Sequence, residues 1–270
     1  MNDIINSTLK RISINPTELC NRTCPFCPRG DSKVYPNRNL HMSSVVAKKI
    51  GQDAKDISFT GELSIAGYGE PLLHNNLPEI VKHMTNDNDF KDVQIITNGD
   101  FLTHDTMKQL ISAGVTRFVV SLYDGSHQRE KIMNIAPEDV QIIFRDRYYS
   151  LGLSNKYGNP ELNNRCGLVN DMKIVETINK PCYIPFNKCM IDWNGDVLLC
   201  DPDWSRDAVF GNIIESSIQD LWMSDKMKEY RVSLMNSKRC LSPCDKCDVS
   251  GDVYGKESFD ILSDYYRNHK

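Results

Sequence analysis

Three cysteines stand close together near the start of the chain, Cys20, Cys24 and Cys27, in the stretch "ELCNRTCPFCPRG". Their C-x3-C-x2-C spacing suits metal ligation. Closed tetrahedral zinc sites take four ligands, and three-ligand zinc centres are usually built with histidine or carboxylate. An iron–sulfur cube is likewise normally held by four thiolates. This motif therefore either finds a fourth ligand elsewhere or leaves one iron open.

Six more cysteines fall into two later groups, at 182, 189 and 200 and at 240, 244 and 247, while Cys166 stands apart. The segment "PCYIPFNKCMIDWNGDVLLCD" places Cys182 and Cys200 on either side of a hairpin signalled by Asn194-Gly195. Cys244 and Cys247 form a C-x2-C. Two separated pairs of thiolates are what a closed site requires, and the residue types leave structural zinc and a second iron–sulfur cluster both open.

Parallel strands must deliver such groups to one rim, because α/β barrels carry their reactive residues on the loops after the strands' C-terminal ends. Apolar runs at 11–15, 63–67, 93–97, 116–122 and 140–144 read as those strands, several of them apolar on both faces as under a double cover of helices. Helical patterns lie between them at 43–54, 77–85 and 103–114, the last with Thr103 or Asp105 as N-cap and Gly114 as its stop. The cysteine motif follows the first strand, "GYGEPLL" (67–73) the second, "TNGD" (97–100) the third and "SLYDG" (121–125) the fourth. The link between the fourth and fifth runs is short for a helical crossover, which predicts an incomplete barrel.

Residues 149–181 give weak signals, and the character changes after Pro181. A hairpin is followed by a helix over about 216–235, a cysteine-rich loop and a last helix over about 257–268. The chain thus divides into a larger α/β unit, 1–180, and a smaller one, 181–270, whose thin core a cluster or metal would staple.

Taken together, the first motif and the second-strand loop resemble the radical S-adenosylmethionine (SAM) superfamily over roughly residues 11–147. Its hallmark is C-x3-C-x-Φ-C with an aromatic at Φ, here Phe26, and a G-G-E-P-like segment, here Gly69, Glu70 and Pro71, with Tyr68 separating Gly67 from Gly69. The resemblance implies a partial (β/α)6-type barrel in which Cys20, Cys24 and Cys27 hold a [4Fe–4S] cluster. The amino and carboxylate groups of SAM then chelate the open iron. Gly67 and Gly69 would let backbone approach the methionine part of SAM, and Glu70 would accept a hydrogen bond from it. Asn98, Ser121 and Arg145 become candidates for holding its ribose and carboxylate.

The later cysteines, with "GN" and "W" landmarks in order, resemble the SPASM or twitch extension found behind such barrels. The twitch form implies one auxiliary [4Fe–4S] cluster on four cysteines, here Cys182, Cys200, Cys244 and Cys247. Cys189 and Cys240 are left as packed or partly exposed thiols, and Cys166 as a buried small hydrophobe.

The family chemistry is hydrogen abstraction by a 5′-deoxyadenosyl radical. An auxiliary cluster that takes back an electron favours net two-electron oxidation, as in twitch-type dehydrogenases that turn an aminocyclitol alcohol into a ketone. The expected substrate is a small polar molecule of the sugar or cyclitol kind. Arg165 is the preferred substrate contact, hydrogen-bonding an oxyanion, with Arg147 and Tyr148 on the path between barrel and extension. Epimerisation of a sugar, with a thiol among Cys166, Cys189 and Cys240 as hydrogen donor, is the alternative. Peptide modification usually needs a leader-recognition domain, for which the roughly ten residues before the first strand leave no room. A non-catalytic zinc or electron-transfer module would leave the first motif and "GYGEP" without purpose.

The partners expected are the small-molecule substrate and an electron donor such as flavodoxin or ferredoxin. A formal charge of -4 gives no basic field for nucleic acid. No run approaches the roughly 18 apolar residues of a membrane helix, and the N-terminus lacks the layout of a signal peptide. A cytoplasmic location follows, where thiols stay reduced and clustered cysteines serve metals rather than disulfides.

Overall fold

The computed structural model describes residues 2–147, 163–169 and 180–269. Its elements are α1 (Asn2–Thr8), β1 (Arg11–Ile14), α2 (Ser44–Asp56), β2 (Glu62–Ile65), α3 (Leu77–Thr85), β3 (Asp92–Thr97), α4 (His104–Ser112), β4 (Arg117–Leu122), α5 (His127–Ile135) and β5 (Gln141–Asp146). After these come α6 (Ile184–Asn187), β6 (Lys188–Ile191), β7 (Asp196–Leu198), β8 (Val209–Asn212), α7 (Ile218–Trp222), α8 (Asp225–Met235) and α9 (Lys256–Asn268). The fold is α/β, built on one eight-stranded sheet of order β5-β4-β3-β2-β1-β6-β7-β8. The six strands from β5 to β6 run parallel, and β7 and β8 continue antiparallel.

Side-chain alternation gives this sheet two unlike faces. One carries Ile12, Ile14, Leu63, Ile65, Val93, Ile95, Phe118 and Val120, all buried in the main core with Ile50 of α2, Val81 of α3, Leu110 of α4 and Ile132 of α5. The other carries a row paired strand to strand, Ser13 with Ser64, Ser64 with Gln94, and Gln94 with Arg117. Gln94 donates to Ser64 Oγ at 3.0 Å, and Arg117 Nη2 donates to Gln94 Oε1 at 3.2 Å. The expectation of runs apolar on both faces therefore gives way to one helix-covered face and one polar face.

Three further departures have local causes. The link between β4 and β5 does hold a helix, the nine-residue α5, packed through Ile132 alone among its fully buried side chains. The single helix expected over 216–235 is two, because Ser224 caps α8 by accepting from Met227 N and donates its hydroxyl to Leu221 O at 2.9 Å. The chain also begins with α1, which packs against α7 and α9. Thr103 is the N-cap of α4, in a reciprocal capping box with Thr106.

The division near residue 180 does not divide the sheet. β6 lies beside β1, pairing Ile12 with Cys189 and Ile14 with Ile191, so the later strands extend the sheet that carries the first cysteine motif.

Candidate active site

The loop that follows β1 is folded so that its thiols converge. Cys27 N donates to Cys24 O at 3.0 Å and Gly30 N to Cys27 O at 2.8 Å. Asn37 brackets Cys20, accepting from its N–H and donating to its carbonyl, both at 3.0 Å. Burial pushes all three thiols up, Cys24 to about 11, with the charges of Cys27 and Cys20 adding to it. Each sulfur therefore feels another. A thiolate set of this kind needs a bound cation to offset its charge, and iron supplies it, so the donor set fits a cluster.

Arg22, inside the motif, clasps this loop to two strand ends. Its Nε and Nη2 reach both oxygens of Asp100 at 2.7 and 2.6 Å, and its Nη1 and Nη2 reach both oxygens of Asp124 at 2.9 and 2.6 Å. Phe26 stacks on Tyr123, with ring centroids 6.1 Å apart and planes within 16°. The loops after β1, β3 and β4 are thereby held as one rim.

The second-strand loop lies directly against the first. A Cβ on Gly69 would sit 2.2 Å from Thr17 O and 2.5 Å from Leu19 O, so only glycine lets Glu70 N donate to Leu19 O at 2.7 Å. Gly67, at φ 124°, presses as closely on Asn15. Both glycines thus serve a close approach of the chain to itself. Glu70 is 3% exposed. Its Oε1 accepts from Leu72 N at 3.1 Å and from Thr97 Oγ1 at 2.6 Å, and its Oε2 accepts from Asn98 N at 2.8 Å. The carboxylate expected to receive a hydrogen bond from SAM is already engaged by the chain's own donors, tying the ends of β2 and β3 together. Burial nonetheless pushes its pKa up to about 7.

Tyr68, which interrupts the expected glycine pair, reaches the other way. Its hydroxyl donates to Asp203 O at 2.7 Å and its ring centroid lies 4.6 Å from that of Trp204, both beyond β7. Arg206 makes a second link, bridging Glu18 of the cluster loop and Asp192 of the hairpin. Neither joint had a signal in the sequence, since Tyr68–Asp203 and Arg206–Glu18 each pair residues more than a hundred positions apart.

Asn98, Ser121 and Arg145 fall on one row. Thr97 pairs with Val120 and Ser121 with Arg145, so the next residue after β3 comes level with both. Asn98 and Ser121 are buried, whereas Arg145 is exposed. Asn98 Nδ2 also donates to Asn21 Oδ1 in the cluster loop at 2.8 Å. Arg147 is half-buried just past β5, where burial lowers its pKa, Tyr123 opposes that and Arg165 adds to it. Tyr123, unremarked in the sequence, hydrogen-bonds with Ser121 and is pushed up to about 12 by burial, with Cys24 adding to it. Tyr148 lies outside the described residues.

Arg165 has a left-handed backbone, φ 48°, and its Nε is buried with no hydrogen-bond partner. Burial raises Cys27, while its hydrogen bond to the Arg29 backbone and then the charge of Arg165 act against that rise, so the guanidinium lies near the first cysteine group. Cys166, the next residue, belongs to the second. It lines one small cavity together with Cys182, Cys200, Cys244 and Cys247. It is buried, as expected of a small hydrophobe, and it lies close enough to Cys247 for the two thiols to act on each other, which together with burial holds Cys166 well above the usual thiol range. Burial raises Cys182 to about 11 and lifts Cys200 and Cys244 well up, each then pushed further by its neighbours' charges. Four convergent thiols, drawn from the hairpin flanks and the late C-x2-C, again fit a cluster as a donor set.

Neither group closes on one point. Among the described residues no three His, Cys, Asp or Glu side chains stand close enough to share a single ion, whereas the irons of a cube occupy separate corners. Cys189 faces the core and is pushed up to about 12 by burial, and Cys240 is exposed.

Comparison with known proteins bears on this geometry. Residues 14–145 match the Radical SAM superfamily, and residues 182–248 match SPASM, an iron-sulfur cluster-binding domain. The S-adenosyl-L-methionine-dependent 2-deoxy-scyllo-inosamine dehydrogenase of Niallia circulans is 29% identical over 93% of this chain and 97% of its own. A GTP 3′,8-cyclase of Aquifex aeolicus is 31% identical over 49% of this chain and 41% of its own. Among solved structures, BtrN in complex with AdoMet and 2-DOIA superposes with a TM-score of 0.77 at 27% identity, over 92% of this chain and 97% of that one. BtrN in an open conformation gives 0.67 at 25% identity, over 91% and 98%. The chain carries a radical SAM domain and a SPASM-type extension, and is a radical SAM enzyme whose cofactors are SAM, a [4Fe–4S] cluster and auxiliary iron–sulfur.

Proposed function

We propose that this enzyme oxidises a secondary alcohol of a small polar substrate, of the sugar or cyclitol kind, to a ketone. The observation that carries the reading is the place of Arg165. It stands near Cys27, its neighbour Cys166 lines the cavity of the other cysteines, and its buried Nε has no partner among the described residues. A substrate oxygen would supply that partner. Further support comes from the similarity, along nearly the whole of both chains, to a dehydrogenase acting on 2-deoxy-scyllo-inosamine.

In this reading Cys20, Cys24 and Cys27 hold the SAM-binding cluster, and Cys182, Cys200, Cys244 and Cys247 one auxiliary cluster. When bound, these groups supply a 5′-deoxyadenosyl radical that removes a hydrogen atom from the carbinol carbon, and an acceptor for the second electron. The balance is one hydrogen atom, one proton and one electron lost as the alcohol becomes a ketone. Gly67 and Gly69 seat the second-strand loop near the methionine part, where Glu70 orders its surroundings, and Phe26 stiffens the cluster loop. Asn98, Ser121 and Arg145 hold the ribose and carboxylate of SAM. Arg165 donates to the substrate oxygen and stabilises its negative charge once the hydroxyl proton has left, with Arg147 and Tyr148 lining the approach. The electron donor is of flavodoxin or ferredoxin type and the location cytoplasmic. All ten cysteines are free, and among the described residues no helix is long and apolar enough to cross a membrane.

The test is anaerobic turnover with SAM, a strong reductant and 2-deoxy-scyllo-inosamine, followed by a screen of related cyclitols and sugars. A ketone formed with one 5′-deoxyadenosine per product supports the reading. Solvent deuterium in an otherwise unchanged carbon skeleton, without ketone, identifies epimerisation and overturns it.

A further inference from the structure

The backbone at Tyr68 and at Cys20 is held by side chains on both its polar groups. Tyr68, between Gly67 and Gly69, donates its N–H to Asn15 Oδ1 at 2.9 Å, and its carbonyl accepts from Arg29 Nε at 2.6 Å. Cys20 has its N–H and carbonyl on Asn37, whose Oδ1 also accepts from Arg29 Nη1 at 3.0 Å. Asn15 and Arg29 meet in turn at Glu18. Its carboxylate accepts from Asn15 Nδ2 at 3.2 Å, from Arg29 Nη2 at 3.4 Å and from the Tyr35 hydroxyl at 2.8 Å. Asn15, Glu18 and Arg29 are all buried.

The extension completes this network. Arg206, beyond β7, donates Nε to Asp192 Oδ2 at 2.5 Å, Nη1 to the Tyr35 hydroxyl at 2.6 Å and Nη2 to Glu18 Oε1. Asn15 Nδ2 also donates to Asp192 Oδ1 at 2.7 Å, so both carboxylates draw on the same amide. Two buried carboxylates thus face two guanidiniums. Without Arg206 the charge of Arg29 alone answers both, and any turn of Arg29 toward Glu18 lengthens its bonds to Tyr68 O and Asn37. We propose that Arg206 is a positioning residue for SAM: by answering Glu18 and Asp192 from the extension, it leaves Arg29 to fix the two loops against which the methionine part of SAM lies. The inference rests on the seating of SAM at those loops in the proposed function. It gives the extension a part in SAM binding that requires no contact with SAM.

The test uses the full-length, iron-replete enzyme. Arg206→Gln combined with Glu18→Gln removes one charge of each sign, so the buried network stays neutral and the variant folds. Arg206→Lys keeps the charge, but one ammonium cannot reproduce the fork to Asp192, Tyr35 and Glu18. Thr8→Val, which takes the acceptor from Trp222 Nε1 in the core, controls for a plain loss of stability. Hydrogen exchange followed by mass spectrometry should show faster exchange over 18–22 and 66–70 in both Arg206 variants. Anaerobic calorimetry should show the dissociation constant of SAM raised about tenfold in the double variant and less in Arg206→Lys, with iron retained in both and neither readout moved in Thr8→Val. Unchanged SAM affinity makes Arg206 a brace between extension and barrel and overturns the proposal, whatever the exchange shows. An equal loss of affinity in Thr8→Val reduces the effect to stability and overturns it as well. Loss of iron from the first cysteine group makes Arg206 a determinant of cluster assembly, which also overturns it. SAM binding and exchange are read without substrate, so a failure of alcohol oxidation leaves this result standing, and the reverse.

Discussion

Arg165 and Cys166 are consecutive residues, both left-handed with φ of 48° and 55°, and they face different cysteine groups. The guanidinium acts on Cys27 of the first and the thiol on Cys247 of the second. Two side chains of one turn thus span the interval between the two cluster sites. In the proposed reading this turn sets where a substrate oxygen meets a positive charge.

Arg165→Ala is expected to fold and keep its iron, since Arg165 contributes no ion pair to the described structure. Its kcat/KM for ketone formation should fall by about 10²–10³, the usual effect of removing one donor to a developing oxyanion. Cleavage of SAM without substrate should persist. Parallel assays of ketone and 5′-deoxyadenosine distinguish this from a general loss of activity.

The two cysteine groups should be separable by iron content. Cys20→Ala, Cys24→Ala or Cys27→Ala removes about four of roughly eight irons and abolishes 5′-deoxyadenosine formation. Cys244→Ala or Cys247→Ala also lowers iron by about four but spares SAM cleavage. Cys189→Ala and Cys240→Ser leave iron unchanged, because one side chain lies in the core and the other in solvent. Iron analysis of these seven variants, with assay of 5′-deoxyadenosine, checks all of this.

Arg22→Ala removes the clasp between the cluster loop and the loops of Asp100 and Asp124. These pairs are partly solvent-exposed, so unfolding in urea should shift by only about 1 kcal/mol. The larger effect is local: the cluster on Cys20, Cys24 and Cys27 should be lost faster to a chelator than in the unsubstituted enzyme. Equal rates of iron loss would leave Arg22 as a surface charge.

Glu70 predicts a pH dependence. Its folded pKa, about 7, lies above its ordinary value of 4.5 because burial penalises the carboxylate. Between those values the folded state binds more protons than the unfolded state, so the contribution to stability is fully present below about 4.5 and is lost as pH rises through about 7. Glu70→Gln should flatten this slope in denaturant titrations across that window. It should also lower stability at acid pH, since an amide N–H2 would then face the N–H of Asn98.

Tyr68→Phe deletes the bond to Asp203 O at 2.7 Å in a site that is 2% exposed. Leaving that buried carbonyl without its donor should destabilise the enzyme by about 1–2 kcal/mol. Urea unfolding monitored by tryptophan fluorescence reports it directly, because Trp204 packs on the same ring.

Much of the site was legible because its chemistry is local. Cys20, Cys24 and Cys27 are spaced by a loop that bonds to itself, through Cys27 N to Cys24 O, so their convergence needs no distant partner. The strands and three of the helices were equally visible, since alternation and caps such as Thr103 act within a few residues. The polar face of the sheet was harder to read. Single residues such as Ser13, Ser64 and Gln94 inside apolar runs look incidental until the register joins them into a row.

By itself the sequence determined the cysteine groups, the rim that carries the first of them and the resemblance to the family, because these depend on residue type and short spacing. Tertiary structure alone decided that Glu70 ties two strand ends, that Tyr68 reaches Asp203, that β6 lies beside β1, and that Cys166 joins thiols that follow it by 16 to 81 positions. Those relationships are made across long chain separations, where burial and hydrogen-bond satisfaction in the folded core select partners that no local pattern marks.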